Sequence, residues 1–216
     1  MNRRHFIAAA PALGALGTRA VFAATAATPT LPPTLLVVGD SLSAEYGLRR
    51  GTGWVALLEK RLAAEHIAAT VVNASVSGDT TSGGRARLPA LLAAHKPTHV
   101  VLELGGNDAL RGLPLAMTQA NLAQMTEAAQ QAGAKVLIVG MQVPPNYGAR
   151  YAEQFAAMFS QVAKAHKAAL VPFLLKGVAD AADPLTLFQA DGIHPKAEAH
   201  PMILDNVWPE LRKLLR

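Results

Sequence analysis

Leu35-Leu36-Val37-Val38-Gly39-Asp40-Ser41-Leu42-Ser43 is the stretch on which the fold turns. Four consecutive apolar residues suit a strand covered on both faces, and the glycine and polar residues after them mark a turn at its end. The pattern repeats, with strand-like apolar runs at 35–39, 69–74, 98–104, 135–140 and 168–173. Between and after these runs, helical periodicity covers about 53–65, 82–94, 114–132, 149–167 and 196–215. Trp54, Leu57, Leu58, Arg61 and Leu62 have the spacing of one helix face, which assigns Trp54 to the core. Gly133 suits a helix end leading into the next strand. Strands alternating with helices imply parallel pairing through right-handed crossovers, hence a three-layer α/β/α domain around a five-stranded parallel sheet.

The 216 residues suffice for one domain with a real core, placed at 34–216. Hydrophobic residues make up 51% and charged residues 16%, which excludes a disordered chain. A net charge of +5 invites a nucleic-acid reading, but Arg3, Arg4 and Arg19 supply three of those charges and leave +2 on the rest. The later basic residues are scattered and aromatics are only 5%, so no stacking platform for nucleic acid is expected.

Residues 1–26 read as an export signal: a basic start, an apolar stretch from Phe6 to Leu16, and small residues at the end that suit cleavage after Ala23 or Ala26. Asn2-Arg3-Arg4-His5-Phe6-Ile7 also resembles a twin-arginine signal. Residues 27–33, rich in Pro and Thr, form a linker. The amino-terminal apolar run is too short and interrupted for a stable membrane span. The expected location is therefore periplasmic or secreted. Cysteine is absent, which rules out disulfides and thiolate chemistry. His95 and His99 are four apart with Pro97 between them, a poor metal-binding face, and no metal is expected.

The chemistry comes from four polar turns, each placed where a doubly wound sheet gathers ligand contacts. Ser41 follows the first strand, Gly78 lies in Ser77-Gly78-Asp79, Asn107 in Gly105-Gly106-Asn107-Asp108, and Asp191-Gly192-Ile193-His194 sets a carboxylate three residues before an imidazole. A serine hydroxyl needs an imidazole to take its proton, and the imidazole needs a carboxylate to fix its tautomer. That assigns Ser41 as nucleophile, His194 as base and then acid, and Asp191 as the residue that orients it. The Ser41 and Gly78 amides and the Asn107 side chain are the candidate oxyanion donors. Asp40, Asp79 and Asp108 read as turn anchors. Leu110, Leu113, Pro114, Pro144 and Pro145 are candidates to line an apolar acyl groove.

These blocks, Gly-Asp-Ser-Leu-Ser, Val-Ser-Gly-Asp-Thr-Thr, Gly-Gly-Asn-Asp and Asp-Gly-Ile-His-Pro, resemble those of the SGNH, or GDSL-type, hydrolases. Asn73 to Leu92, Glu103 to Pro114 and Met141 to Gly148 resemble the branch of thioesterases, lysophospholipases and arylesterases. The resemblance runs from about Leu35 to the carboxyl terminus. It implies a flavodoxin-like sheet, no cofactor, and hydrolysis of esters or thioesters through an acyl-enzyme on Ser41. A monomer acting on small acyl esters or thioesters is the expected form. A polysaccharide O-deacetylase on the same fold is the alternative activity, and a carbohydrate- or lipid-binding module the non-catalytic one. Glu45 stands where relatives carry a small residue, and is expected to narrow the pocket mouth or disfavour anionic substrates. His200-Pro201, near the start of the last helix, is a second departure.

Overall fold

The computed structural model describes Met1 and residues 32–216, so residues 2–26 of the expected export signal and 27–31 of the linker lie outside the described residues. Five strands form the sheet: β1 (Thr34–Gly39), β2 (Thr70–Asn73), β3 (His99–Glu103), β4 (Lys135–Val139) and β5 (Ala169–Val171). All pair in parallel, in the order β2-β1-β3-β4-β5, with Val37 opposite both Asn73 and Val101. This is the flavodoxin-like order. The chain winds outward in opposite directions from β1 and β3, which opens a crevice beyond their carboxyl ends.

Leu35 to Val38 are wholly buried, as expected of a strand covered on both faces. Helices α1 (Trp54–Ala64) and α6 (His200–Leu214) pack together on one face; α2 (Thr81–His95), α4 (Leu115–Gln131) and α5 (Ala149–Ala165) cover the other. The buried side chains of α5 show why it docks: Phe155, Met158, Phe159 and Val162 recur at helical spacing on one stripe. Gly84 brings α2 against the end of β3, because a Cβ there would meet Leu104 Cδ1 at 2.3 Å. That close crossing carries the first turn of α2 to the rim of the crevice.

Two differences from the sequence-based expectation bear on the site. A short helix, α3 (Gly106–Leu110), forms directly after β3, where only a polar turn was predicted. The last helical pattern divides: Ala197–Ala199 make a 3-10 turn, and α6 starts at His200 with Pro201 in its first turn. Proline lacks the N–H that the first helical turn leaves unpaired, so it fits there without cost.

Candidate active site

Four separate segments meet at the mouth of the crevice. Ser41 stands in a tight turn directly after β1, where the Ala44 amide donates to the Asp40 carbonyl at 2.9 Å. Its hydroxyl donates to His194 Nε2 at 2.8 Å, and His194 Nδ1 donates to Asp191 Oδ2 at 2.7 Å. The other Asp191 oxygen accepts the Ile193 and His194 amides at 2.9 and 3.0 Å. Together the His194 amide, its ring and the Ile193 amide hold the Asp191 carboxyl down at about 2. Asp191 therefore stays ionised beside the imidazole across the physiological range. Ser41, Gly78, Asn107 and His194, with Tyr46 and Ser77, line one open cleft of about 270 Å³.

Asn107 sits in α3 and donates through Nδ2 to Asp40 Oδ2 at 3.0 Å. One amide hydrogen is thereby spent on anchoring, and the second is left for another acceptor. The remaining Asp40 oxygen accepts the Leu42 amide at 3.0 Å. Behind Asp40 lies Glu103, the last residue of β3, whose Oε2 accepts the Asp40 amide at 3.3 Å and the Ser43 hydroxyl at 2.6 Å. Ser43 in turn accepts the Trp54 indole N–H at 3.1 Å. Gly39 makes room for this network, since a Cβ there would fall 2.7 Å from Glu103 Oε2 and 2.8 Å from Ser43 Oγ. Burial raises Asp40 to about 6, partly offset by the Leu42 and Asn107 donors. Burial and the neighbouring Asp40 push Glu103 well above the ordinary carboxylate range. Two adjacent buried carboxyls do not both ionise readily, and Glu103, the more enclosed of the two, holds its proton more strongly than Asp40.

The other two turns are held from outside. Asp108 accepts the Thr81 amide and hydroxyl at 2.9 and 2.5 Å and the Thr118 hydroxyl at 3.2 Å, which ties α3 to α2 and α4. Arg87 pairs with Asp79 at 2.7 Å and also donates to the Ala74 and Gly39 carbonyls, clipping the Gly78 turn to the end of β1. Gly78 adopts φ +78°, a conformation open to glycine, and its carbonyl accepts Arg111 Nη2 at 2.7 Å. Asp40, Asp79 and Asp108 are thus turn anchors, each with identified partners.

Four of the apolar candidates, Leu110, Leu113, Pro114 and Pro144, stand outside the lining of this cleft. Leu110 is exposed at the end of α3, Leu113 is half-buried, and Pro114 is exposed at the start of α4. Pro144 is exposed, and Pro145 opens the short 3-10 turn Pro145–Tyr147. Glu45 takes a different position from the one expected of it. Its carboxylate turns back into its own loop, accepting the Gly51 amide at 2.9 Å and the Gly53 amide at 2.8 Å. Glu45 itself has φ +59°, and these bonds offset the strain of that conformation.

Sequence reasoning passed over four contributors. Tyr46 lays its ring on His194, with centroids 4.4 Å apart. Glu103 had a readable signal, a carboxylate inside an apolar run predicted to be buried on both faces, which must find partners. Arg87 and Gln189 carried none, because their contacts join segments far apart in the chain.

Comparison with known proteins identifies the family and the fold. The model of the GDSL-like Lipase/Acylhydrolase family matches residues 37–201. Esterase TesA of Pseudomonas aeruginosa is 58% identical over 182 residues, covering 84% of this chain and 89% of that protein. Thioesterase 1/protease 1/lysophospholipase L1 of Escherichia coli K12 is 42% identical over 182 residues, covering 84% of this chain and 85% of the relative. A crystal structure of TesA superposes with a TM-score of 0.80 at 58% identity, covering 84% of this chain and 99% of that one.

Proposed function

The chain belongs to the GDSL-like lipase/acylhydrolase family, and we propose that it is an exported serine hydrolase cleaving esters and thioesters through an acyl-enzyme on Ser41. The observation that carries this reading is the continuous relay from Ser41 Oγ to His194 Nε2 at 2.8 Å and from His194 Nδ1 to Asp191 at 2.7 Å.

In the first half-reaction the Ser41 proton passes to His194 Nε2 while Oγ bonds to the substrate carbonyl carbon. The carbonyl oxygen becomes an oxyanion, met by the Ser41 and Gly78 amides and by the second hydrogen on Asn107 Nδ2. The C–O or C–S bond then breaks, and the leaving oxygen or sulfur takes the proton from Nε2. In the second half a water gives its proton to Nε2 and its oxygen to the acyl carbon. Collapse releases the carboxylic acid and returns the proton to Ser41. Asp191, already ionised, steadies the imidazolium in both halves.

Aryl esters, acyl-CoA and lysophospholipid are the proposed substrates, in keeping with the esterase and thioesterase relatives. An open cleft of about 270 Å³ takes the reacting carbonyl, and Leu110, Leu113, Pro114 and the Pro144-Pro145 turn offer an apolar margin for the acyl chain. Methylene contacts discriminate by only about 1–3 kcal/mol each, so several chain lengths should be accepted. The signal-like residues 1–26 support export to the periplasm or beyond, and among the described residues no helix is long and apolar enough to cross a membrane. The protein is proposed to act as a monomer.

Hydrolysis of an aryl ester by purified protein tests the reading. Ser41→Ala and His194→Ala should each abolish measurable turnover and Ser41→Ala should abolish stoichiometric organophosphate labelling. Asn107→Ala should lower kcat about a hundred- to a thousand-fold with folding intact. Full activity in Ser41→Ala would overturn the assignment.

A further inference from the structure

The relay places a base on one loop beside a nucleophile on another, and a separation set to about an ångström needs something that spans the two. Gln189 does so. Its side-chain amide donates to the Tyr46 carbonyl at 3.0 Å, on the segment that follows Ser41, and to the Pro195 carbonyl at 3.1 Å, directly after His194. Both bonds use Nε2, so the one NH2 group bridges the two segments. The Gln189 backbone adds a third tie, its amide donating to the His194 carbonyl at 2.8 Å. The Gly192 amide donates to the Gln189 carbonyl at 2.9 Å, which closes the Asp191–His194 loop on the same residue.

The surroundings are shaped to this amide. Gly47 has φ +69°, and a Cβ there would lie 2.1 Å from Gln189 Oε1. Tyr46, whose carbonyl Gln189 holds, is the residue whose ring rests on His194. Its own amide donates to the Ser41 carbonyl at 3.3 Å. A single side chain is thus linked to the nucleophile turn, to the aromatic cover of the base and to the residue after the base. None of its atoms is needed for proton transfer or for the oxyanion.

We propose that Gln189 is a positioning residue for acyl transfer, whose two amide hydrogens set the distance between the Ser41 turn and the His194 loop. This rests on the assignment of Ser41 and His194 as nucleophile and base. Only a neutral double donor fits between two carbonyl oxygens. Methionine matches the length and shape of the side chain and donates nothing. Glutamate donates one hydrogen when protonated and none when ionised, and the ionised form faces two carbonyl oxygens with like polarity.

The test uses the full chain with Gln189→Met and Gln189→Glu, an aryl ester as substrate, and melting curves at each pH. Gln189→Met should lower kcat about ten- to a hundred-fold, as expected for a misplacement of about an ångström. Its KM should stay within about twofold, and its rate of organophosphate labelling should fall in step with kcat. Gln189→Glu should show its best activity relative to wild type at acid pH and lose ground as the pH rises and the new carboxylate ionises. A side chain that merely supported the fold would shift the melting temperature without this pH-dependent ratio. If Gln189→Met fails to fold, the Gln189→Glu ratio measured at acid pH, where the variant keeps one donor, still decides. A Gln189→Met enzyme with wild-type kcat, or a Gln189→Glu ratio flat from pH 5 to 9, overturns the proposal. Full activity in Ser41→Ala under the same conditions would instead overturn the assignment of Ser41 on which the proposal rests.

Discussion

Burial decides which of the two carboxyls behind Ser41 keeps its proton. Glu103 is the more deeply enclosed and holds its proton more strongly, while Asp40 accepts the Asn107 side-chain amide. A carboxyl whose folded pKa is raised favours the folded state below the ordinary carboxylate range. That contribution is lost as the pH rises through the folded pKa. Glu103→Gln keeps an oxygen acceptor for Ser43 and the Asp40 amide and has no proton to lose. Its melting temperature should therefore fall less than that of wild type between pH 5 and 9, read by calorimetry across that range. Equal slopes for the two proteins would mean that Glu103 binds no more protons in the folded state than in the unfolded one. Asp191 behaves in the opposite sense: its folded pKa is depressed, so its contribution holds above the ordinary range and is lost only on strong acidification.

Helix α1 is preceded by Gly53, which has no side chain to cap it, and the structure supplies a cap to Trp54 from 146 residues away. The Trp54 amide donates to His200 Nδ1 at 3.0 Å, so that nitrogen carries no proton, and the Pro195 carbonyl also faces the ring. Burial lowers the His200 pKa, while the Pro195 carbonyl and the Glu45 carboxylate oppose the shift. A depressed histidine stabilises the fold above its ordinary range near 6.5, and the benefit is lost as pH falls toward the folded value. Glutamine at 200 can accept from Trp54 and donate to a carbonyl without titrating. His200→Gln should keep most of its melting temperature between pH 6.5 and 5, while wild type declines. A parallel decline in the two would show that another group controls acid stability. The principal strands and helices were legible in the sequence because buried strands and amphipathic helices leave local patterns, as in Leu35 to Val38 and Phe155 to Val162. The cap on α1 was not, since it joins residues 54 and 200, and no local pattern reports a contact made only after folding. Helix α3 was missed for a related reason: Gly105-Gly106-Asn107-Asp108 reads as a turn, and the bonds from Asp108 to Thr81 and Thr118 hold it as a helix.

The sheet order accounts for the site as a whole. Ser41 follows β1 and Asn107 follows β3, the neighbouring strands from which the chain winds outward in opposite directions, so the crevice and the chemistry coincide. The four polar turns named the catalytic candidates because each stands just beyond an apolar run. What positions those turns, in Arg87, Glu103 and Gln189, came only with the packing. Because β1 lies between β2 and β3 under two layers of helices, truncating its centre should weaken the molecule rather than the chemistry. Leu36→Ala should cost about 2–5 kcal/mol, and each kcal/mol lowers the melting temperature by about 2–4 °C in a domain of this size. The kcat per folded molecule should be unchanged well below the transition; a large loss there would mean that the core strand moves Ser41. At the other end of the sheet the Leu214 carbonyl accepts His99 Nε2 at 2.9 Å and Lys135 Nζ at 2.7 Å, from residues that open β3 and β4. The last turn of α6 is thus moored at the pole where the strands begin, about 15 Å of strand away from the catalytic mouth. Grafted to a bead through its final residues, the enzyme would face its reactants with the cleft turned to the bulk liquid.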